Sequence, residues 1–108
     1  VYGGGAFHEG IDIANDTGTT IVATAAGTVT YAAYAGGYGN LIEIDHGNGF
    51  ITKYGHNSAL LVQAGMTVKK GQSIALMGST GKSTGSHVHY EVRVNGVATD
   101  PLLFLPIQ

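Results

Sequence analysis

The chain has 108 residues, of which 44% are hydrophobic and 11% are charged, and its formal net charge is −2. This length and composition predict one globular domain and exclude a disordered chain. The negative charge argues against nucleic acid or an anionic membrane surface as a partner, because both need a basic face. The absence of cysteine excludes disulfides, thiolate metal ligands and a cysteine nucleophile.

The sequence contains neither a secretory signal pattern nor an apolar run of membrane-spanning length. Because the chain begins at Val1 rather than Met, we expect it to be a mature or excised domain. A chain without cysteine is compatible with the bacterial envelope or with secretion, although cytosolic proteins can also lack cysteine.

The 18 glycines separate short segments rich in β-branched and aromatic residues, a pattern typical of strands joined by tight turns. In chain order, the predicted strands are Ile11–Ala14, Thr20–Ala25, Gly27–Tyr34, Leu41–Asp45, Phe50–His56, Ser73–Met77, His87–Val94 and a short piece around Val97. No window has helical periodicity over three turns, and residues 57–62 are predicted to form at most a short turn. We therefore expect an all-β fold of antiparallel strands, with hairpins and a sheet curled on itself.

The segment from His8 to Asp12 places two side chains that can bind a metal four residues apart. Gly10 and the Ile-Asp-Ile alternation indicate extended chain, in which residues i, i+2 and i+4 face the same way. His8, Gly10 and Asp12 therefore line one surface, and Gly10 leaves room for an ion. Glu9 faces the other way and is predicted to be a solvated charge.

A second pair, His87 and His89, shares one face of a predicted strand. If this strand pairs with the strand beside His8, two imidazoles and one carboxylate meet. Such a set suits a catalytic zinc ion, which takes three N or O ligands and keeps one position open for water. Glu91 falls on the same face, and two interpretations stay open: it is a hydrogen-bond partner of an imidazole, or part of a surface ion pair.

The two remaining histidines have no such partner in the sequence. His56 ends a predicted strand, and since a fourth protein ligand would close a zinc site, we assign it a role other than metal binding. His46 lies among Asp, Gly and Asn residues and is predicted to be a turn residue. A single strand histidine is most often a half-buried polar residue, so spacing alone leaves a metal site and structural histidines about equally favoured.

The order of these motifs resembles that of the lysostaphin-like, LytM-type zinc endopeptidases (the β-lytic metallopeptidase family), which cleave peptide bonds in bacterial peptidoglycan. The match runs from about Tyr2 to Leu105, and this ordered combination is highly specific. Its motifs are His8-x-Gly10-x-Asp12, Gly27-Thr28-Val29, the segment 39–49, Tyr54-Gly55-His56, Val68-Lys69-Lys70-Gly71-Gln72, Gly78-Ser79-Thr80-Gly81, His87-Val88-His89-Tyr90-Glu91 and Asp100-Pro101. The resemblance implies a lysostaphin-like fold of the duplicated-hybrid-motif type.

The resemblance also implies roles for individual residues. One Zn²⁺ ion would be bound by His8, Asp12 and His89. His56 and His87 would be the catalytic pair that orients water and stabilises the oxyanion. Tyr2 stands where lysostaphin-like members carry a tyrosine that contacts the reacting centre. Ala6 replaces the arginine that many members carry, which leaves the subfamily open.

These roles imply a zinc-dependent endopeptidase, with residues 1–108 forming one catalytic domain that hydrolyses cross-bridge or stem peptides of peptidoglycan. We expect a secreted or cell-envelope protein, bacteriolytic and of bacterial, phage or bacteriocin origin. It would act as a monomer on a peptidoglycan peptide, without binding nucleic acid or inserting into a membrane. The glycine-rich segments 36–39 and 78–85 are expected to wall a groove for an extended peptide.

Two other functions compete with this interpretation. The first is a non-catalytic peptidoglycan-binding or amidase-activating module of the same fold, which is less favoured because all five functional positions are present. The second is a carrier domain, because residues 64–72 are similar to hairpins of biotinyl and lipoyl domains. The lysines of this chain lack the flanking residues of a carrier lysine. A phosphate loop around Lys82 is excluded, because Leu76 stands where that motif needs glycine.

Overall fold

The computed structural model describes residues 2–3 and 10–99, and at residues 2, 3 and 99 it describes the backbone alone. Within these residues the strands are β1 (Tyr2–Gly3), β2 (Ile11–Ala14), β3 (Thr20–Val22), β4 (Gly27–Tyr34), β5 (Asn40–Asp45), β6 (Phe50–Asn57), β7 (Ala59–Leu60), β8 (Thr67–Val68), β9 (Ser73–Leu76), β10 (His87–Val94) and β11 (Val97–Thr99). A 3₁₀ turn spans Gly36–Tyr38. No helix in this part of the chain is long and apolar enough to cross a membrane.

Most of the predicted strands are confirmed to within one residue, and two predictions are wrong. Strand β3 ends at Val22 rather than Ala25, because the backbone of Ala23 bonds outside the ladder, to Gln72 and Gly71. The range 57–62, predicted as a short turn, contains β7 instead. Its backbone is extended because β7 pairs with β9 at the edge of a sheet.

The strands form two antiparallel sheets, which confirms the all-β prediction. In the described residues, the larger sheet has eight strands in the order β1-β2-β10-β6-β5-β4-β8, with β11 paired to the C-terminal half of β10. The smaller sheet has the order β3-β9-β7. Strand β10 lies between β2 and β6, so residues distant in sequence meet beside its two histidines.

The core fixes which face of β10 points to the site. Val88, Tyr90 and Val92 are buried, and because side chains alternate along a strand, His87 and His89 must face the other side. The residues packed with them come from both sheets and include Ile11, Ile13, Ile21, Ile42, Ile44, Tyr54, Ile74 and Met77. Slipping β10 by one residue would bury both imidazoles and expose these apolar side chains.

Buried hydroxyl groups link the strands beneath the site. The Thr24 hydroxyl lies 3.0 Å from the Tyr90 hydroxyl, and the Thr52 hydroxyl donates to the Tyr54 hydroxyl at 2.8 Å. Burial raises the pKa of both tyrosines. His46, in the predicted turn, extends this network, with its Nε2 atom 2.8 Å from the Thr52 hydroxyl. The network satisfies polar atoms that the core could not otherwise bury without cost.

Candidate active site

The first half of the site is built by the pairing of β2 with β10. In this register His89 lies directly opposite Asp12, and both side chains face away from the core. The His89 Nδ1 atom lies 2.8 Å from Asp12 Oδ1, and His87 Nε2 lies 3.7 Å from the same oxygen. Two of the three predicted metal ligands, Asp12 and His89, are therefore brought together.

The buried carboxylate of Glu91 supports this half of the site by bonding the second ring nitrogen of His89. Its side chain is 1% exposed, so the interpretation as a surface ion pair is wrong. Glu91 Oε2 accepts hydrogen bonds from His89 Nε2 at 2.8 Å and from the Tyr38 hydroxyl at 2.7 Å. Glu91 Oε1 accepts from Arg93 Nε and Nη2, both at 2.9 Å. The carboxylate thus fixes the ring of His89 with its Nδ1 atom toward Asp12.

The pKa values on this side reflect the same contacts. Burial alone would raise the pKa of Glu91, but hydrogen bonds from His89, Tyr38 and Arg93 outweigh burial and hold that pKa at about 2. Burial would lower the pKa of His89, but its hydrogen bonds to Glu91 and Asp12 outweigh it and raise that pKa. The ring of His89 therefore lies between two carboxylates, a setting that favours positive charge at its Nδ1 atom, from a proton or from a metal ion.

The prediction that Gly10 leaves room for an ion is wrong. A Cβ atom at this position would lie 2.5 Å from the Tyr90 carbonyl oxygen and 2.7 Å from Glu91 Cγ, and the φ angle of Gly10 is +151°. The space beside Gly10 is filled by β10 and is not left for an ion. Gly10 instead allows β2 to approach β10 closely enough for Asp12 to reach His89.

The second half of the site consists of His56 and His87, whose ring centroids are 4.6 Å apart. His56 Nδ1 donates to the Thr80 carbonyl oxygen at 2.7 Å, and His87 Nδ1 donates to the Gly85 carbonyl oxygen at 2.8 Å. Because a carbonyl oxygen can only accept, both rings carry a proton on Nδ1, and in the neutral ring Nε2 is the nitrogen that can accept a proton. One loop, residues 78–85, therefore sets the tautomer of both histidines.

His56 is constrained more tightly than His87. It is 7% exposed and has a φ angle of +66°, which is unusual for a residue other than glycine. Burial lowers the pKa of His56, and this effect exceeds the opposite effect of the hydrogen bond to Thr80. The ring is consequently neutral at neutral pH, the form that accepts a proton at Nε2.

A cleft of about 330 Å³ opens onto both halves of the site, lined by Gly37, Tyr38, His56, Lys82, His89 and Glu91. Its walls include parts of the two glycine-rich segments predicted to form a groove. The segments are joined by a hydrogen bond from Lys82 N–H to the Gly37 carbonyl oxygen at 3.0 Å. A second depression, beyond Asp12, is lined by Asp12, Ala14, Thr84, Gly85, Ser86 and His87.

The donor set fits a zinc ion as far as it is described. A carboxylate oxygen and an imidazole nitrogen face each other at Asp12 and His89, and the other imidazole nitrogen of His89 is held by a carboxylate, as is usual for zinc ligands. Within residues 10–99, no three His, Asp or Glu side chains form a group that could hold a metal ion unaided. The third predicted ligand, His8, lies outside the described residues, as do Glu9 and Asp100-Pro101. Tyr2 is described by its backbone, which pairs with Ile13 in β1–β2.

The sequence interpretation missed three residues that shape the site: Tyr38, Thr80 and Arg93. Tyr38 lies in the glycine-rich segment 36–39, but the sequence did not indicate its contact with Glu91. Arg93 lies two residues after Glu91 on the same face of β10, so strand alternation could have indicated their pairing. Thr80 contacts His56 from 24 residues away, and no local signal marks that contact.

Comparison with known proteins agrees with this fold. The model of peptidase family M23 matches residues 6–101, and the chain belongs to this family. An uncharacterized metalloprotease of Haemophilus influenzae is 51% identical over 96 residues, 88% of this chain and 20% of that protein. The murein hydrolase activator NlpD of Escherichia coli is 48% identical over 100 residues, 92% of this chain and 26% of that protein.

A third relative, the DD-carboxypeptidase/endopeptidase Mpg of Neisseria meningitidis, is 47% identical over 95 residues, 88% of this chain and 22% of that protein. The chain thus spans 20% to 26% of the length of these three relatives. Among solved structures, the catalytic domain of lysostaphin from Staphylococcus simulans superposes with a TM-score of 0.83 at 32% identity, covering 94% of this chain and 86% of that one. A zinc-containing peptidase from Vibrio cholerae superposes with a TM-score of 0.83 at 39% identity, covering 86% of this chain and 29% of that one.

Proposed function

We propose that this chain is a zinc-dependent endopeptidase domain that hydrolyses peptide bonds in bacterial peptidoglycan. The observation that carries the proposal is the presence of two imidazoles, His56 and His87, beside the pair formed by Asp12 and His89, each with Nδ1 bonded to a carbonyl oxygen so that Nε2 can accept a proton. In this proposal the ion is held by His8, Asp12 and His89, and residues 1–108 act as one catalytic domain. When bound, Zn²⁺ supplies a Lewis acid that activates water and polarises a scissile carbonyl.

The chain's own residues handle the protons and the charge. His56 and His87 can each accept a proton at Nε2 and return it to a departing amine, and the protonated ring can hold the negative charge that develops on the carbonyl oxygen. The cleft lined by Gly37, Tyr38 and Lys82 would hold the peptide beside these rings. Tyr2 is proposed as a further contact to the reacting centre.

The similarity to the Mpg protein and to lysostaphin supports a peptidase that acts on the bacterial cell wall. We therefore propose a secreted or cell-envelope location, a peptidoglycan peptide as substrate, a monomeric domain and a bacteriolytic effect. The proposal includes neither nucleic acid nor membrane insertion.

A second candidate function is favoured by one comparison. The chain is 48% identical over 100 residues to a murein hydrolase activator, so an activating module of the same fold is a specific rival. The activating module needs the fold and a binding surface, but it does not need two histidines oriented to accept protons at Nε2 beside a metal-binding pair.

Digestion of purified peptidoglycan, followed by mass spectrometry of the fragments, separates the two functions. An endopeptidase should release new peptide termini, lose that activity in a chelator and regain it when zinc is added. The Asp12→Ala variant should be inactive throughout, and Asp16→Ala, at an exposed turn, is the matched control. Chelator-insensitive cleavage would contradict the zinc mechanism. An absence of cleavage, combined with stimulation of a separate murein hydrolase, would establish the activator instead.

A further inference from the structure

We propose that Thr80 is a positioning residue for His56, holding this ring with Nε2 toward the cleft. The proposal rests on the proposed function, because the position of His56 matters most if its Nε2 atom moves protons. Thr80 contacts His56 through its backbone, since its carbonyl oxygen accepts from the imidazole at 2.7 Å and its N–H donates to the His56 carbonyl oxygen at 3.4 Å. In this proposal the side-chain hydroxyl of Thr80 holds that backbone in place.

His56 needs such support because its backbone conformation is unfavourable. With a φ angle of +66° at a residue that has a Cβ atom, this segment would relax if it were free. Conformations of this kind persist when neighbouring groups over-determine them, and they cluster at functional sites. Neighbouring groups must therefore hold His56 in this conformation.

The hydroxyl of Thr80 joins three segments around His56. It donates to the carbonyl oxygen of Asn57 at 2.6 Å, directly after His56 in β6. It accepts from the backbone N–H of Asn40 at 3.1 Å, at the start of β5. Two further bonds connect the same strands: Asn40 Nδ2 donates to the Asn57 carbonyl oxygen, and Asn57 Nδ2 donates to the Asn40 carbonyl oxygen, both at 3.0 Å.

Glycine contacts keep the Thr80 carbonyl from moving away. A Cβ atom on Gly39 would lie 2.4 Å from the Thr80 carbonyl carbon and 2.5 Å from its hydroxyl oxygen. A Cβ atom on Gly81 would lie 2.2 Å from Gly39 N. The two backbones are in direct contact, which is possible only because neither glycine has a side chain. The carbonyl oxygen that accepts the hydrogen bond from His56 Nδ1 is consequently held both by this backbone packing and by the hydrogen bonds of the Thr80 hydroxyl.

This clamp of Thr80, Asn40 and Asn57 is separate from the groups that hold the metal-binding pair. None of its described hydrogen bonds involves Asp12, His89 or Glu91. Loss of the Thr80 hydroxyl should therefore affect the orientation of His56 and leave zinc binding intact. A residue with a purely structural role would change stability without this selectivity.

The test compares Thr80→Val, which removes the hydroxyl at nearly constant volume, with Thr80→Ser, which keeps it. Thr67→Val, at an exposed position on β8, is the matched control. We expect Thr80→Val to lower kcat/KM on peptidoglycan fragments roughly 10- to 100-fold, less than the roughly 10²- to 10⁴-fold expected for loss of the acid or base itself. Thr80→Ser and Thr67→Val should stay near the wild-type value, and all variants should bind zinc as tightly as the wild type.

Side-chain ¹⁵N NMR of the histidines supplies a readout independent of activity. In the wild type His56 should show a protonated Nδ1 and an unprotonated Nε2, and in Thr80→Val the two tautomers should mix. An unchanged tautomer in Thr80→Val, or an equal loss of activity in Thr80→Ser, would overturn the proposal. If Thr80→Val does not fold, Thr80→Ala compared with Thr80→Ser tests the same hydroxyl. If the wild type cleaves no substrate, the proposed function fails, and the NMR comparison still decides the role of Thr80.

Discussion

The two halves of the site are held by different chemistry. The proposed metal-binding half, Asp12 and His89, stands on paired strands and is supported by the buried carboxylate of Glu91, which is paired with Arg93. The other half, His56 and His87, is oriented by neutral carbonyl oxygens of one loop. A charged support raises the electron density at a metal ligand, whereas a neutral support fixes a tautomer without adding charge where protons move. The difference indicates that the two halves can be disabled separately.

The largest effect is expected at the metal-binding half. Asp12→Ala should abolish tight zinc binding and reduce cleavage of peptidoglycan roughly 10³-fold or more, because it removes a carboxylate ligand. Metal content by mass spectrometry and fragment release would be measured together. Full zinc occupancy in this variant would show that Asp12 is not a ligand.

The variants His56→Ala and His87→Ala should lose catalysis while keeping zinc binding. Each should reduce kcat roughly 10²- to 10⁴-fold, the usual range for a positioned acid or base. Both variants should keep one equivalent of zinc, since neither imidazole is a proposed ligand. Near-normal turnover in either variant, with zinc bound, would remove that histidine from the mechanism.

Glu91→Gln tests whether buried charge supports the metal. We expect the Kd for zinc to rise roughly 10- to 100-fold, as is typical when the partner of a ligand histidine is changed. Competition with a chromophoric chelator measures this directly. Glu43→Gln, which removes the carboxylate of the part-exposed pair with Lys53, is the control and should bind zinc normally. Equal affinities in both variants would mean that Glu91 supports the fold alone.

The low pKa of Glu91 also predicts how the stability of the metal-free protein changes as the pH falls. The pKa of Glu91 is about 2 in the folded state, against an ordinary value of 4.5. Its contribution to the free energy of unfolding is therefore complete above pH 4.5 and is lost as the pH falls toward 2. Urea unfolding between pH 6 and pH 3 should show a shallower decline for Glu91→Gln than for the wild type, by on the order of 2 kcal/mol. Parallel declines would contradict the prediction.

The smallest effect is expected for Tyr38→Phe. This change removes one of the donors to Glu91 and keeps the ring that lines the cleft. The Kd for zinc should rise roughly threefold, the equivalent of one modest hydrogen bond. A change as large as that of Glu91→Gln would mean that the tyrosine hydroxyl, rather than the buried charge, dominates the support.

Sequence by itself determined most of the longer strands and their faces, but the two-residue strands β1, β7 and β8 were not predicted. Alternation along β10 placed His87, His89 and Glu91 on one side, opposite a buried apolar row, because that pattern depends on neighbouring residues alone. The sequence left the pairing of β2 with β10 as a condition, and the structure meets that condition, with Asp12 opposite His89. The ordered motifs indicated the family, which the comparison confirmed.

Tertiary structure alone decided how each imidazole is turned and what supports it. Thr80, which contacts His56, lies 24 residues away along the chain, and Tyr38, one of the partners of Glu91, lies 53 residues away. Which oxygen faces which ring nitrogen depends on strand register and on loop contacts, and residue spacing does not encode these. Glu91 shows the same division. Strand alternation indicated which face of β10 it lies on, and the tertiary packing, including the contact with Tyr38, showed that it is buried beneath His89 rather than part of a surface ion pair.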